Sequence, residues 1–196
     1  MNICVYGAAS PEINEAYVEK VENICTELAK RGHNLVFGAG GSGMMGAAAR
    51  GFKKGGGKVI GVVPEFFKYQ KVEALYDQCD ETIYTETMAD RKSVMEEKAD
   101  AFMIAPGGVG TLDELFQILA LKQLGQMSKQ ILLLNIDGFY DRIQQWMEMS
   151  QQQKFLHIGC LDQYMLSDGN DIDEIAAYLE EDPLNKFRKL DMGRYS

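Results

Sequence analysis

The stretch from Pro106 to Glu114 is the part of this sequence best suited to bind and act on a small anion. It reads Pro-Gly-Gly-Val-Gly-Thr-Leu-Asp-Glu and joins a predicted strand to a predicted helix. Backbone N–H groups of such a loop can wrap a phosphate, and the Thr111 hydroxyl adds a donor. The Gly-Lys-Ser/Thr of a P-loop is missing, so ATP hydrolysis is not indicated. A plainer interpretation is a capping box, in which Thr111 and Glu114 only satisfy backbone donors at the helix start.

A second glycine cluster covers residues 38–46, again between a predicted strand and a predicted helix. Glycines allow the backbone to approach a ligand closely, and the start of the following helix attracts anions. We predict that Gly40, Gly41 and Ser42 contact a bound substrate. The cluster also contains a G-x-G-x-x-G pattern, which taken alone is a weak dinucleotide signal. A tight turn without a ligand is the structural alternative.

Arg91 is the most informative single residue, because it projects from the apolar stripe of a predicted helix. Met88, Val94 and Met95 lie three or four positions away and are predicted to face inward. A buried guanidinium needs a partner, so Arg91 is expected to meet a phosphate, a ribose hydroxyl or Glu114. The alternative is that Arg91 extends to the surface. For the neighbouring Lys92 the plain interpretation is a surface pair with Glu96.

The elements that must position these residues alternate along the chain. Apolar runs predict strands at Ile3–Tyr6, Leu35–Phe37, Lys58–Val63, Thr82–Tyr84, Ala101–Ala105, Gln130–Ile136 and Tyr164–Leu166. Helical spacing predicts helices from Ser10-Pro11 to Gly32 and over Met44–Lys54, Glu86–Lys98, Thr111–Leu124, Phe139–Gln152 and Ile172–Leu179. Residues 65–80 are ambiguous, and we expect a loop with one or two helical turns.

Strands that are apolar almost throughout indicate a parallel sheet covered by helices on both faces. We therefore predict a single α/β domain over residues 1–180, doubly wound and Rossmann-like, followed by a charged tail over residues 181–196. Ligands of such folds bind at the carboxyl ends of the strands, near a switch in strand order. Both glycine clusters lie at such ends.

The composition limits the class of ligand and the cellular compartment that we expect for this protein. The 196 residues carry a net charge of −9 without a basic run, which disfavours nucleic acid and favours a small anionic ligand. The four cysteines lack metal or redox spacing, and the two histidines lie far apart, so we expect a reduced protein without a histidine-rich metal site. There is no signal-peptide pattern and no long apolar run, so we expect a cytoplasmic protein that does not bind membranes.

Three motifs together carry a family resemblance: Pro106-Gly107-Gly108-x-Gly110-Thr111-x-x-Glu114, Met88-x-x-Arg91-Lys92 upstream of it, and the glycine cluster at residues 38–46. Over roughly residues 2–155 the chain resembles the LONELY GUY family. Members of that family are phosphoribohydrolases that release cytokinin bases from riboside 5′-monophosphates. The resemblance implies a Rossmann-like fold, a catalytic pair of Arg91 and Glu114, and no essential metal or cofactor. It also implies a homodimer with residues of both subunits near the site. The phosphate would be held by Gly108, Val109, Gly110 and Thr111, and Met88 and Lys92 would lie against the substrate.

Two positions depart from the pattern of the family. Ala89 stands where the family often has histidine, and Ala39 where it often has the second of three glycines. Members have also been labelled lysine decarboxylases, but no lysine here has the setting of a pyridoxal phosphate site. The runner-up function is a non-catalytic nucleotide or molybdenum-cofactor carrier, which would not need Arg91 and Glu114 together. A nicotinamide oxidoreductase fits less well, because the G-x-G-x-x-G follows the second strand and no substrate domain is present.

Overall fold

Apolar residues that alternate between two faces build one parallel sheet at the centre of the protein. The computed structural model describes residues 1–68 and 74–182. In these residues the strands are β1 (Asn2–Tyr6), β2 (Asn34–Phe37), β3 (Val59–Pro64), β4 (Glu81–Thr85), β5 (Ala101–Ile104), β6 (Gln130–Leu134) and β7 (Met165–Ser167). They pair in the order β4-β3-β2-β1-β5-β6-β7, every pair parallel.

Helices cover both faces of the sheet, because each strand sends alternate side chains to opposite sides. The helices are α1 (Glu15–Lys30), α2 (Gly43–Gly55), α3 (Met88–Lys98), α4 (Val109–Gln123), α5 (Asp141–Gln152) and α6 (Ile172–Glu180). Ile3 and Val5 of β1 pack with α1, α2 and α6, whereas Cys4 and Tyr6 pack with α3, α4 and α5. The predicted doubly wound α/β fold is confirmed.

The strand order reverses beside β1, the central strand. From β1 the chain proceeds outward to β2, β3 and β4, and then returns to place β5 on the other side of β1. Connections on the two sides diverge at this point and leave a crevice at the carboxyl ends of the strands. Gly38 follows β2, and the loop of residues 105–108 follows β5. Both glycine clusters therefore lie at the carboxyl edge close to this switch.

The predicted start of the first helix at Ser10-Pro11 is wrong. Helix α1 begins at Glu15, and the side chain of Asn14 caps it by accepting from the Ala16 amide at 3.0 Å. The carbonyl of Ala8 instead accepts from the Met44 amide at 2.8 Å. Residues before α1 are held out of helical conformation because this loop covers the start of α2.

Most of the predicted tail lies outside the described residues, which end at Asp182. The ambiguous stretch 65–80 contains a short 3₁₀ turn at Glu65–Lys68, and its residues 69–73 also lie outside the described part.

Candidate active site at the carboxyl edge of the sheet

Helix α4 begins at the edge of the crevice and leaves its first amides open. Its N-cap is Gly108, and no side chain caps it. Within the described residues, the amides of Val109, Gly110 and Thr111 have no hydrogen-bond acceptor, as expected for a first helical turn without a cap. Helix N-termini of this kind attract anions. The capping-box interpretation of Thr111 and Glu114 is wrong, because the helix starts two residues earlier and buries Thr111 in its first turn.

The glycines of this loop have different surroundings. A Cβ at Gly107 would lie 2.1 Å from the Thr111 Oγ1, so this position has no room for a side chain. A Cβ at Gly108 or Gly110 would have no neighbour within 4 Å. The space in front of the first turn is therefore open, and Val109 beside it is 87% exposed. The residues predicted to hold a phosphate, 108–111, thus form the start of one helix.

Tyr140 supports the loop from below. It is buried, and its hydroxyl donates to the Ala105 carbonyl at 2.7 Å. Burial raises the pKa of Tyr140 well above its ordinary value, and the Gly107 backbone lowers it by hydrogen bonding. A neutral Tyr140 hydroxyl thus fixes the chain immediately before the first two glycines of the motif.

Arg91 is buried rather than extended to the surface. Its side chain is 6% exposed, with Nε donating to the Val62 carbonyl at 3.2 Å and Nη2 to the Gly38 carbonyl at 3.0 Å. The Phe67 ring centroid lies 6.0 Å from Cζ. The alternative of a surface arginine is wrong: two of the described hydrogen bonds of the guanidinium go to backbone carbonyls of β3 and of the residue after β2, and Nη1 donates to the Met88 Sδ at 4.0 Å.

The charges of Arg91 and Glu114 act on the same buried thiol. Burial is the main reason why the pKa of Cys4 lies far above its ordinary value; the Glu114 carboxylate raises it further, and the Arg91 guanidinium lowers it. Burial also raises the pKa of Tyr6 most strongly, with Cys4 and Glu114 adding to the shift. Arg91 on α3 and Glu114 on α4 thus belong to the two helices that pack on the Cys4 and Tyr6 face of β1.

Lys92 does not form the predicted surface pair with Glu96. Its Nζ lies 2.9 Å from the Asp113 Oδ2, which links α3 to the first turn of α4. The Glu96 side chain accepts instead from Gln117. Met88, predicted to face inward, is 40% exposed at the start of α3, whereas Met95 is fully buried. A true capping box at Thr87 and Asp90 sets the start of this helix and leaves Met88 beyond the core.

The first glycine cluster is held largely by contacts within the protein. The Gly41 amide donates to the Ala74 carbonyl at 2.7 Å, and Gly40 forms an antiparallel bridge with Leu75. A Cβ at Gly43 would lie 2.6 Å from the Ala8 carbonyl oxygen. Ser42 is the half-buried N-cap of α2 and makes no side-chain cap bond. The substrate contacts of Gly40, Gly41 and Ser42 remain a prediction.

Ala39 has a backbone conformation that normally favours glycine. Its φ is +64°, in the left-handed region, where a Cβ costs about 1–2 kcal/mol. Its side chain is buried, and a Cβ at Gly61 on the neighbouring strand would lie 3.0 Å from the Ala39 Cβ. The departure from the glycine pattern at position 39 therefore places a methyl group in a gap beside Gly61.

Sequence reasoning missed several residues at this edge. Phe67 lies in the stretch left ambiguous, where the Pro64-Glu65-Phe66-Phe67 run was the available signal. Tyr140 was visible only as a helix-start residue. Tyr6 was assigned to a strand, but its buried hydroxyl lies beside the Cys4 thiol. Contacts from distant parts of the chain, which local spacing does not encode, give these residues their place.

Residues 1–68 and 74–182 contain neither a cluster of metal-ligating side chains nor a membrane-spanning helix. No group of three or more His, Cys, Asp and Glu side chains in these ranges could hold a metal ion. No helix in them combines the length and the apolar character needed to cross a bilayer.

Comparison with known proteins identifies the family to which this chain belongs. A family model described as "Possible lysine decarboxylase" matches residues 45–179. The cytokinin riboside 5′-monophosphate phosphoribohydrolase of Mycobacterium tuberculosis is 40% identical over 145 residues, covering 74% of this chain and 76% of that protein. This chain belongs to the LONELY GUY (LOG) family. The rice (Oryza sativa subsp. japonica) enzyme named LOG is 36% identical over 154 residues, which span 79% of this chain and 63% of the rice protein.

Solved structures support the fold of this LOG-family chain. The molybdenum cofactor carrier protein from Chlamydomonas reinhardtii superposes with a TM-score of 0.64, covering 94% of this chain and 98% of that one. Sequence identity is 21%, so the similarity extends to the fold alone. The named phosphoribohydrolases, at higher identity, are the more specific relatives.

Proposed function

We propose that this LOG-family chain is a phosphoribohydrolase that cleaves the N-glycosidic bond of purine riboside 5′-monophosphates. The observation that carries the proposal is the uncapped first turn of α4 at the carboxyl edge of the sheet, where the Val62 and Gly38 carbonyls also hold the buried Arg91 guanidinium. The curated relatives that span most of the chain are named for this reaction on cytokinin riboside monophosphates. We extend their substrate class to this protein, with AMP and N6-prenylated AMP as candidates.

The phosphate would bind at the start of α4. Its charge would meet the amides of Val109, Gly110 and Thr111, with Gly108 leaving room for the approach. The helix dipole favours an anion there by about 0.3–2 kcal/mol. Binding energy gained at the phosphate positions the sugar, so a nucleoside without phosphate is expected to be a poor substrate. Met88 and Lys92 would lie beside the substrate on α3.

The chemistry is hydrolysis at C1′ of the ribose. The bond from C1′ to N9 breaks, and a bond forms between C1′ and the oxygen of water, giving free base and ribose 5-phosphate. Glu114 would stabilise the oxocarbenium character of the transition state and take a proton from the attacking water, while the leaving base gains a proton. General-base assistance of this kind is worth about 10²–10⁴-fold in rate. Arg91 supplies a fixed positive charge for the ribose phosphate region.

The test is release of free base from AMP and from N6-isopentenyladenosine monophosphate, followed by chromatography, with adenosine as the control lacking phosphate. Glu114→Gln and Arg91→Ala should each lower the release at least 100-fold while keeping the wild-type circular dichroism spectrum. Tight binding of the nucleotides without release by the wild-type protein would favour the carrier alternative. Release by Glu114→Gln at the wild-type rate would remove the carboxylate from the mechanism.

Homodimerisation and a cytoplasmic location belong to the same proposal. Exposed apolar side chains concentrate on α5 and after it, with Trp146 at 48% exposure, and include Met149, Phe155 and Ile158. A second copy that covers this surface would bury them. Sedimentation velocity should give a dimer for the wild-type protein and a monomer for Trp146→Glu. All four cysteines are free, in keeping with a reducing compartment.

A further inference from the structure

Arg91 is held in an unusual way for a buried guanidinium. Buried arginines are commonly paired with carboxylates. Here Nε and Nη2 donate to the carbonyls of Val62 and Gly38, at 3.2 and 3.0 Å. Both acceptors are main-chain oxygens beside the carboxyl ends of neighbouring strands, so they cannot move without moving the sheet. The guanidinium is therefore fixed to the rigid part of the fold.

Gly38 provides the space for this arrangement. A Cβ at position 38 would lie 1.6 Å from the Arg91 Nη2 and 2.7 Å from its Cζ. Gly38 is absent from the residues with left-handed φ, which include Gly43 further along the same cluster. Its backbone conformation does not explain the glycine. The requirement at Gly38 is the volume occupied by the guanidinium.

An aromatic ring lies near the guanidinium as well. Phe67, in the 3₁₀ turn that follows β3, has its ring centroid 6.0 Å from the Arg91 Cζ. Phe66 packs edge-to-face on Phe67, with centroids 5.0 Å apart. The ring adds a cation–π attraction to the two hydrogen bonds with the carbonyls. We call Gly38, Val62 and Phe67 the arginine seat.

We propose that Gly38 is a positioning residue whose carbonyl and missing side chain together fix the Arg91 guanidinium at the carboxyl edge of the sheet. The first glycine of the G-x-G-x-x-G pattern thus provides space for the Arg91 side chain, and a dinucleotide is not needed to explain it. The catalytic consequence rests on the proposed function, whereas the structural part does not. A charge held in place before substrate arrives needs no reorganisation during the reaction.

A double-mutant cycle in stability tests the structural part. Gly38→Ala, Arg91→Ala and the double variant are compared with the wild type by urea denaturation. Gly38→Ala should lower the urea midpoint, because the new methyl displaces the guanidinium. In the Arg91→Ala background the same change should leave the midpoint unchanged or raise it, because the methyl fills vacated space. An equal decrease in both backgrounds would overturn the proposal.

The cycle stays informative if Gly38→Ala does not fold. Folding of the double variant would then support the arginine seat, because removal of the arginine restores room for the methyl. Failure of both Gly38→Ala and the double variant to fold, with Arg91→Ala folded, would overturn it. Neither result depends on the substrate or on activity.

Kinetics test the positioning role. Gly38→Ala should lower kcat for release of the base at least 100-fold and raise KM by a smaller factor, because the guanidinium near the ribose phosphate region is displaced while the start of α4 is not altered. Gly57→Ala is the matched control, since its Cβ would lie 2.5 Å from the His33 carbonyl oxygen, beyond the opposite end of the sheet. It should lower the urea midpoint and keep the wild-type kcat. Wild-type kcat in a folded Gly38→Ala would overturn positioning, whereas an inactive wild type would overturn the proposed function alone.

Discussion

Lys92 on α3 and Asp113 on α4 form an ion pair of 2.9 Å that links the helices carrying Arg91 and Glu114. The Lys92 side chain is 18% exposed and that of Asp113 60% exposed, so solvent screens the pair. We expect Asp113→Asn to lower the free energy of unfolding by about 0.2–1 kcal/mol at low salt. The decrease should shrink at 1 M NaCl, where the Debye length is about 3 Å. Urea denaturation at low salt and at 1 M NaCl measures this decrease, with Glu97→Gln at an exposed position as the control. An equal decrease in the free energy of unfolding at the two salt concentrations would contradict an electrostatic link.

Gly107 and Gly110 should respond in opposite ways to the same substitution. Gly110→Ala places a methyl in open space on an exposed helical position and should raise the free energy of unfolding by up to about 1 kcal/mol. It should also raise KM for AMP several-fold, because the methyl stands beside the first-turn amides. Gly107→Ala crowds Thr111 and should lower the free energy of unfolding by about 1–3 kcal/mol. An unchanged KM in Gly110→Ala would remove this helix start from the phosphate site.

Tyr140 and Tyr6 offer a matched pair for testing buried hydroxyls. Tyr140→Phe removes the donor to the Ala105 carbonyl and should cost about 1–3 kcal/mol of unfolding free energy, with lower activity because the loop loses support. Tyr6→Phe removes a hydroxyl whose described neighbour is the Cys4 thiol, a weak hydrogen-bonding group, and should therefore be close to neutral. Thermal and urea unfolding measure both. Equal destabilisation by the two variants would mean that the Tyr6 hydroxyl has a stronger partner such as a buried water.

His33 should make stability depend on pH. It is buried, and burial lowers its pKa below the ordinary 6.5, although the hydrogen bond with Glu180 raises it; the N-terminus and Arg31 add to the decrease. The neutral ring is therefore favoured in the folded state, and the unfolded state takes up the proton first. Stability attributable to His33 should be complete above about pH 6.5 and decline as pH falls below it.

Urea midpoints at pH 7.5, 6.5 and 5.5 measure this dependence. His33→Gln, which does not titrate, should flatten the decline, whereas His157→Gln, at the exposed second histidine, should leave it unchanged. A decline that is identical in His33→Gln would assign the effect to other groups.

Sequence periodicity was sufficient for the fold and most element positions. Strands such as β1 and β6 are apolar after their first residue because both of their faces are buried, so their pattern predicts a covered parallel sheet. Element ends were less predictable. Helix α1 was predicted to start at Ser10 but starts at Glu15. The loop before it covers the start of α2, and this tertiary contact is not visible in local spacing.

The residue types that can do chemistry were visible from the motif and from the position of Arg91 in an apolar stripe. The interaction partners of these residues could not be predicted from the sequence. Arg91 bonds to carbonyls 29 and 53 positions away, and Lys92 to Asp113, 21 positions away. Such pairings depend on how the strands are ordered, which local spacing does not contain.

By itself the sequence determined the class of fold, because periodicity is a local property, and the family resemblance of its motifs predicted Arg91 and Glu114 as the catalytic pair. Only the tertiary structure decided three contacts between distant segments. Gly38 makes room for the Arg91 side chain, the Gly41 amide donates to the Ala74 carbonyl, and the Tyr140 hydroxyl donates to the Ala105 carbonyl before the second glycine cluster. The physical reason is that excluded volume and hydrogen bonding between distant segments exist only once the sheet has brought them together.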